Sequence, residues 1–277
     1  MCRVLSVSRS GFYAWLKRPV SKRDQQRALV GTAVESTFKH FKQRYGAPRL
    51  TVELNEQGVV CSRNHVAGLL KERGLRARNG KRFRYFPRTG AKTNINANVL
   101  RQNFKASAPN LKWVSDITYI RVGRTWLYLA AVVDLFSRKV VGWALERHMR
   151  ESLILEALEM AVSQREPKGH TLIHSDRGVQ YRGNEYQEAL RNYDIACSMS
   201  RKGNCWDNAV MESFFSRLKV ELIYAEDYKT VDEVRAGVFE YIEIFYNRMR
   251  RHSSLGYVSP HKFEQQFSQL NVSTICG

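Results

Sequence analysis

The pattern of apolar and polar positions divides the chain near residue 110. Upstream of it, apolar residues recur at helical spacing among basic ones. Ser8 or Ser10 is placed to cap a short helix through Phe12, Tyr13, Trp15 and Leu16, which Pro19 stops. A second helix is expected from about Asp24 to Phe41. Gly46-Ala47-Pro48 reads as a turn, followed by a helix from Arg49 to Gln57 that Gly58 ends. Ser62 then caps a helix from Arg63 to Arg73, with Val66, Leu69 and Leu70 on one face, and Gly74 suits the position just past its end. Two short helices joined by a short turn, the second of them basic, are either a helix-turn-helix or a plain helical hairpin.

Downstream the period changes to two. Lys112 to Arg121 alternates, with Trp113, Ser115, Ile117 and Tyr119 on one face and Val114, Asp116, Thr118 and Ile120 on the other. Trp126 to Val133 is a nearly continuous apolar run, as a central strand requires. Asp134 to Arg138 turns the chain into a third strand, Lys139 to Leu145. Two short connections among three strands predict an antiparallel meander. Glu151 to Arg165 is an amphipathic helix with Ile154, Leu158, Ala161 and Val162 on one face. A strand from His170 to Ser175, a helix from Gly183 to Tyr193 and a strand from Ile195 to Met199 follow. A long helix capped by Asp207 carries Val210, Phe214, Leu218 and Leu222 at helical spacing. Thr230 and Glu233 form a capping box for a helix reaching about Arg248. The expected fold is α/β, a mixed sheet flanked by helices behind a basic helical region.

Charge sharpens that division. The 277 residues carry a net +19, with 45 Lys+Arg against 26 Asp+Glu. Residues 1–110 hold 23 basic and 5 acidic residues, a net +18, and leave +1 for the remainder. Such an asymmetry gives the first part an attraction for polyanions. Arg63, Arg76, Arg78, Lys81, Arg82 and Arg84 are its candidate DNA contacts. Between residues 76 and 105, Phe83, Tyr85 and Phe86 interleave with basic residues, which suits either a groove along a phosphate backbone or a solvated linker. At 43% hydrophobic residues the chain is not a disordered tail. No stretch approaches the roughly 18 apolar residues of a membrane span, and the N-terminus lacks a signal-peptide apolar core. The expected location is the cytoplasm. Five cysteines without a CxxC pair, and seven histidines without HExxH, argue against a zinc or disulfide framework.

Three acids sit where a structural role explains them least. Asp116 interrupts an apolar strand, where a carboxylate is costly unless paired or metal-bound. Asp176 ends the strand Leu172-Ile173-His174-Ser175, the place where α/β sheets put functional groups. Glu212 lies in the helix that begins near Asp207. Thirty-five residues separate Asp176 from Glu212 (212 − 176 = 36 positions). Lys219 follows Glu212 by two helical turns, on the same face, and is expected to reach a bound backbone phosphate. Asp134 is a fourth acid, read as a strand-end turn residue or a further metal contact. Asp207 is read as a helix cap. His174 is either a packed histidine or a contact near the site, and Trp206 either a core aromatic or a base-stacking one.

This arrangement resembles the D,D(35)E triad of DDE transposases and retroviral integrases. The segments WVSDITYI (113–120), AVVDLFSRKVVGWAL (131–145), HSDRGVQY (174–181), SRKGNCWDNAVMESFFSRLKVEL (200–222) and YNRMRRHSSLGYVSPHKFE (246–264) resemble the orfB product of two-frame insertion sequences. RYGAPRLTVELNEQG (44–58) resembles the helix-turn-helix segment of that family. The resemblance runs from about residue 2 to 267, without the HHCC zinc module of retroviral integrases. It implies an RNase H-like fold. It divides the chain into a basic helical segment 1–45, a helix-turn-helix and basic linker 46–105, a catalytic core 106–225 and a C-terminal helical extension 226–277.

Three converging carboxylates repel one another by about 4 kcal/mol per pair ~4 Å apart at an effective dielectric near 20. A divalent cation reverses that sign, and all-oxygen ligands select a hard ion, Mg²⁺ or Mn²⁺. The resemblance implies two such ions, Asp116 bridging both and Asp176 and Glu212 each holding one. It implies nicking at the ends of an element and joining of the exposed 3′-hydroxyl to DNA. It also implies duplex DNA as partner, a homo-oligomer in the active complex and an upstream-frame (OrfA) part, bound or fused. A nuclease of the same fold without strand transfer, and a DNA-binding regulator with an inert second half, are the competing readings.

Overall fold

The computed structural model describes residues 2, 4–78, 96–201 and 205–275, with the side chains of 205–206 and 271–275 left aside. The chain forms two compact units, Met1–Arg78 and Asn79–Gly277.

The first unit is helical: α1 Arg9–Leu16, α2 Lys22–His40, α3 Ala47–Glu56 and α4 Arg63–Glu72. Ser8, Ser21 and Ser62 each accept from a backbone N–H in the first turn of the helix that follows, satisfying a donor the helix leaves free. The segment 46–48, expected as a turn, instead starts α3. Gly46 is its N-cap and Pro48 stands in its first turn, where a missing N–H costs nothing. Val34, Leu50, Leu54 and Val66 are wholly buried, so α2, α3 and α4 share one small core. Asn55 spans the turn between α3 and α4, accepting from Cys61 N at 2.9 Å. None of the residues of α1 is buried.

The second unit is built on a five-stranded sheet of order β3-β2-β1-β4-β5. Its strands are β1 Lys112–Val122, β2 Thr125–Asp134, β3 Val140–Glu146, β4 Thr171–Ser175 and β5 Ile195–Met199. β1, β2 and β3 form the antiparallel meander, while β4 and β5 run parallel to β1. The parallel pairs need crossovers, supplied by α5 Glu151–Arg165 and α6 Asn184–Asn192. Leu153, Ile154, Ala157, Leu158 and Ala161 of α5 meet Trp113, Ala130, Val132 and Val141 of the sheet. The approach is close at Gly142, where a Cβ would stand 2.1 Å from the Ala157 carbonyl oxygen. Only glycine admits that contact. Glu151, the first residue of α5, accepts from Tyr186 N at 2.7 Å and so caps α6.

α7 Ala209–Glu221 packs on β1 and leads to α8 Val231–Phe239. Both halves of the Thr230–Glu233 capping box are present. The expected single helix to Arg248 changes character midway: Glu240–Met249 is π-helical. Its wider turn buries Tyr241, Ile242, Phe245 and Tyr246 together and aims Asn247 at β3. Asn247 donates to Val140 O and accepts from Val140 N, both at 2.9 Å. α9, Pro260–Ile275, completes the unit. Among the described residues no helix is long and apolar enough to cross a membrane.

One buried ion pair joins the end of α7 to the chain beyond the π-helix. Arg250 donates to both Glu221 oxygens at 2.7 and 2.8 Å, and Tyr241 OH donates to Glu221 at 2.9 Å. Both charged side chains are all but closed to solvent. Arg250→Met is expected to cost the full chain about 3–5 kcal/mol in urea unfolding, because Glu221 is left buried without its arginine. Adding Glu221→Leu is expected to recover part of that loss. Equal stability of the single and double variants would remove the pair from this role.

Candidate active site

β1 and β4 pair in parallel at a fixed offset of 60 positions (174 − 114), Val114 standing against His174. The same offset carries Asp116 to Asp176. Extended two positions past the last pair, that offset points from the interrupting acid of β1 to the first residue after β4. Each carboxylate is fixed by backbone: Asp116 Oδ1 accepts from Ile117 N and Asp176 Oδ1 from Gly178 N, both at 2.8 Å. Tyr181 lies within the field of both. Its hydroxyl is 2.9 Å from Ser115 Oγ. Burial above all, with Asp116 and Asp176 adding to it, pushes that phenol well above its usual range.

Glu212 and Lys219 are both on α7 but differ in depth. Glu212 keeps its side chain open to solvent, while the helix beneath partly desolvates the carboxyl and raises it above the usual Glu range. Lys219 is buried. Its ammonium stands 4.5 Å from the centre of the Tyr119 ring. Burial lowers Lys219 from the usual lysine range, and the nearby Asp116 charge opposes that shift. The structure thus brings Asp116, Asp176, Tyr181 and Lys219 into one electrostatic neighbourhood. Among the described residues it gathers no three His, Cys, Asp or Glu side chains tightly enough to hold a metal ion, so Glu212 is not closed onto the two aspartates.

Asp207, expected to cap α7, does something else. The cap position is Asn208, which makes no side-chain capping bond. Asp207 stands in a 3-10 turn, Cys205–Asn208, and is wholly buried. It accepts from Arg201 N at 2.8 Å, Arg201 Nη2 at 3.1 Å, Asn98 Nδ2 at 2.9 Å and Gln102 Nε2 at 2.8 Å. A fixed carboxylate with so many donors clamps the segments on either side of the α7 entrance. Although burial works the other way, the Arg201 donors bring it down to about 2. His174 is a packed histidine, wholly buried between Ser198 Oγ at 2.8 Å and Ser200 Oγ at 3.1 Å. Asp134 is also wholly buried, accepting from Asn110 N and Phe136 N at 2.8 Å and from Arg165 at 3.2 Å. Arg165 continues to Glu264 of α9 at 2.7 Å, so this acid is committed to the frame.

The donor chemistry of Asp116, Asp176 and Glu212 fits a hard divalent cation: carboxylate oxygens only, two of them oriented by backbone N–H groups. Among the described residues Glu212 makes no hydrogen bond or ion pair, which leaves its oxygens available as ligands.

In the first unit Arg63 opens α4 and is exposed. Arg76 is exposed and Arg78 half-buried in the segment after α4. Lys81, Arg82, Arg84 and the aromatics interleaved with them lie outside the described residues, as does the Trp206 side chain. Sequence reasoning does not single out Tyr181 and Tyr119 as parts of the site. Both stand inside the sequence segments 113–120 and 174–181 that carry the aspartates, which is the signal the sequence offers for them.

An integrase core domain matches residues 106–205, a second integrase core domain 193–260 and an HTH-like domain 24–83. The chain is 46% identical over 268 residues to transposase InsF of insertion sequence IS3A from Escherichia coli K12, covering 96% of this chain and 93% of that one. It is 38% identical over 270 residues to a 31 kDa protein of insertion element IS600 from Shigella sonnei, covering 98% and 99%. Among solved structures, a simian T-cell lymphotropic virus intasome in complex with a PP2A regulatory subunit is similar at 18% identity and a TM-score of 0.49, over 84% of this chain and 73% of that one.

The Asp207 clamp has a pH signature. A carboxyl held at about 2 in the fold and near 3.9 in the unfolded chain contributes stability above pH 4 that is lost as the pH falls through 2. Asp207→Asn is expected to cost about 1–2 kcal/mol at pH 7, Arg201 being partly screened by water. It is also expected to flatten the acid limb of a urea-unfolding series between pH 5 and 2. An unchanged acid limb would contradict the clamp.

Proposed function

The chain belongs to the IS3 family of insertion-sequence transposases, and we propose that Asp116, Asp176 and Glu212 are the residues with which it cleaves the ends of its element and joins them to DNA. As a DDE-type transposase it is a polynucleotidyl transferase with an RNase H-like core. The observation that supports the residue assignment is the offset that pairs β1 with β4, Val114 against His174, which extended two positions points from Asp116 to Asp176, the residue after β4. The three carboxylates would hold Mg²⁺ or Mn²⁺, with two ions as the proposed complement. Bound there, the cations supply activation of the attacking oxygen and stabilisation of the leaving one in an in-line displacement.

The protein's own part is positional. The backbone donors at Ile117 and Gly178 keep the aspartates aimed. The Asp207 clamp sets the start of α7 and with it the height of Glu212. Lys219 places a positive charge beside Asp116, which limits repulsion between the acids and an approaching phosphodiester. No side chain need act as a covalent nucleophile, since water or a DNA 3′-hydroxyl suffices. The basic first unit, with its HTH-like domain, would hold duplex DNA through Arg63, Arg76 and Arg78, and Lys81, Arg82 and Arg84 would extend the track. The working form would be a homo-oligomer in the bacterial cytoplasm, aided by an upstream-frame OrfA part.

With Mg²⁺ or Mn²⁺, the full chain should nick and join oligonucleotides carrying the terminal inverted repeats of its element. Asp176→Asn should abolish both steps while binding persists. Joining by that variant at the wild-type rate would overturn the triad assignment. Double replacement Arg76→Gln with Arg78→Gln should weaken duplex binding across sequences alike. It should also reduce the slope of log K against log salt by about 1 for each phosphate no longer neutralised. An unchanged slope would remove these arginines from the interface.

A further inference from the structure

The tip of the β1–β2 hairpin carries aromatic residues that the core does not use. Arg121 stands opposite Trp126, and Tyr119 opposite Tyr128. Cross-strand partners share a face, so Tyr119, Arg121, Trp126 and Tyr128 lie on one side. Nearer the sheet centre, Ile117 and Tyr128 pack against the core beneath α5. Beyond them that cover ends, and Tyr119 and Trp126 remain 39% and 44% exposed. Leaving two large rings in water forgoes burial free energy that a smaller residue would not have offered.

The rings are nonetheless held in place. They meet edge to face, their centroids 5.3 Å apart with an interplanar angle of 77°. The Arg121 guanidinium lies 5.8 Å from the Trp126 ring centre, and the Lys219 ammonium stands over Tyr119. Tyr224, 68% exposed, is within electrostatic reach of Tyr119. Between Asp116 and Asp134 the sequence holds Arg121 and Arg124 and no acidic residue. Ordered aromatic rings edged by cations are the components of a stacking site for nucleobases, whose flanking phosphates the cations neutralise. An apolar protein partner would not call for this charge. Tyr119 stands three positions beyond Asp116 on β1, about 10 Å along the strand, and faces the other side of it. The pairing of β1 with β4 ends at Val114, and Lys219, over Tyr119 and near Asp116, links the two around that open edge, a path that one or two nucleotides of unstacked strand can span.

We propose that Trp126 and Tyr119 form a platform on which an unpaired base of the DNA stacks while the adjoining phosphodiester lies at Asp116. The proposal deepens the reading of Asp116, Asp176 and Glu212 as the DNA-processing centre and rests on it. The platform favours DNA whose end is splayed, and it takes its share of the binding free energy from the frayed strand and not from the duplex.

The test uses the full chain and two labelled oligonucleotides of equal length, one a blunt duplex and one a duplex with a short unpaired arm. Wild type is expected to bind the forked probe about tenfold more tightly, the range of one base–aromatic stack. Trp126→Ala should bring the two affinities within about twofold of each other without weakening the blunt duplex, which also reports that the variant is folded. Trp126→Phe should keep the preference. A 2-aminopurine base in the arm should change its fluorescence on binding wild type and not on binding Trp126→Ala. Equal affinity of wild type for both probes, or a preference undiminished in Trp126→Ala, overturns the platform. Asp176→Asn separates the two readings: it should lose joining and retain the fork preference. A chain that prefers forks but never joins DNA would sink the catalytic assignment and leave the platform standing.

Discussion

The chemistry of this chain hangs on the pairing register of two short parallel strands. Only Lys112, Trp113 and Val114 of β1 are paired with β4, yet their offset decides where Asp176 stands relative to Asp116. A slip of one residue would send one aspartate to the opposite face, because side chains alternate along a strand. The register is protected from both ends. Trp113 and Ile173, directly paired, are both buried in the core beneath α5. Ser115, next along β1, is tied to Tyr181 beyond the end of β4. A slip would therefore expose an indole, bury a carboxylate and break a hydrogen bond at once.

The buried acids of the second unit serve the frame around the half-buried Asp116 and Asp176. Glu221, Asp207 and Asp134 are buried, and each is met by an arginine and further donors. These pairs are geometric fasteners whose desolvation cost offsets much of their attraction. They tie α7 to Arg250, the α7 entrance to Arg201, and the turn after β2 through Arg165 to α9. Asp116 and Asp176 each accept in addition a backbone N–H from just along the chain, which orients the carboxylate. Fastened acids on every side hold the elements that present these two. Buried ion pairs thus stabilise the frame around the proposed centre.

Much of this was legible in the sequence because it is periodic. The change of period at residue 112 separates strands from helices, and β1, β2 and β5 run within a residue or so of their expected bounds. Caps were legible where the capping side chain is unambiguous, as at Ser62 and in the Thr230–Glu233 box. At Asp207 the same logic fails. An acid before a helix has the composition of a cap, but its long-range donors Asn98 and Gln102 are about a hundred residues away in sequence and leave no local trace. The π-helix is illegible for a related reason, since Asn247 must meet Val140 in the fold to reward the wider turn. Asp116 and Asp176 stand out as departures from local rules, which is where functional residues are expected to appear, whereas Glu212, an exposed helix residue, is legible only through its spacing and flanking segment. The depth of Lys219 did not, because a helical wheel gives a face and not how far the sheet rises to meet it.

The two halves of the charge distribution then have separate physical consequences. A net +18 over the first 110 residues gives long-range attraction to DNA that salt screens within about 10 Å at 0.1 M. Such attraction carries no information about where on the strand the chemistry falls. That information must come from short-range contacts in a core that is nearly neutral. Lys219 near Asp116, and Arg121 over Trp126, are the charges proposed for that second kind of contact, each seated on an aromatic ring. Bringing a phosphodiester to a cluster of carboxylates is electrostatically uphill until cations are in place. On the proposed reading, the attraction of the first unit and the short-range contacts of the second are separate contributions, the one screened by salt and the other much less so.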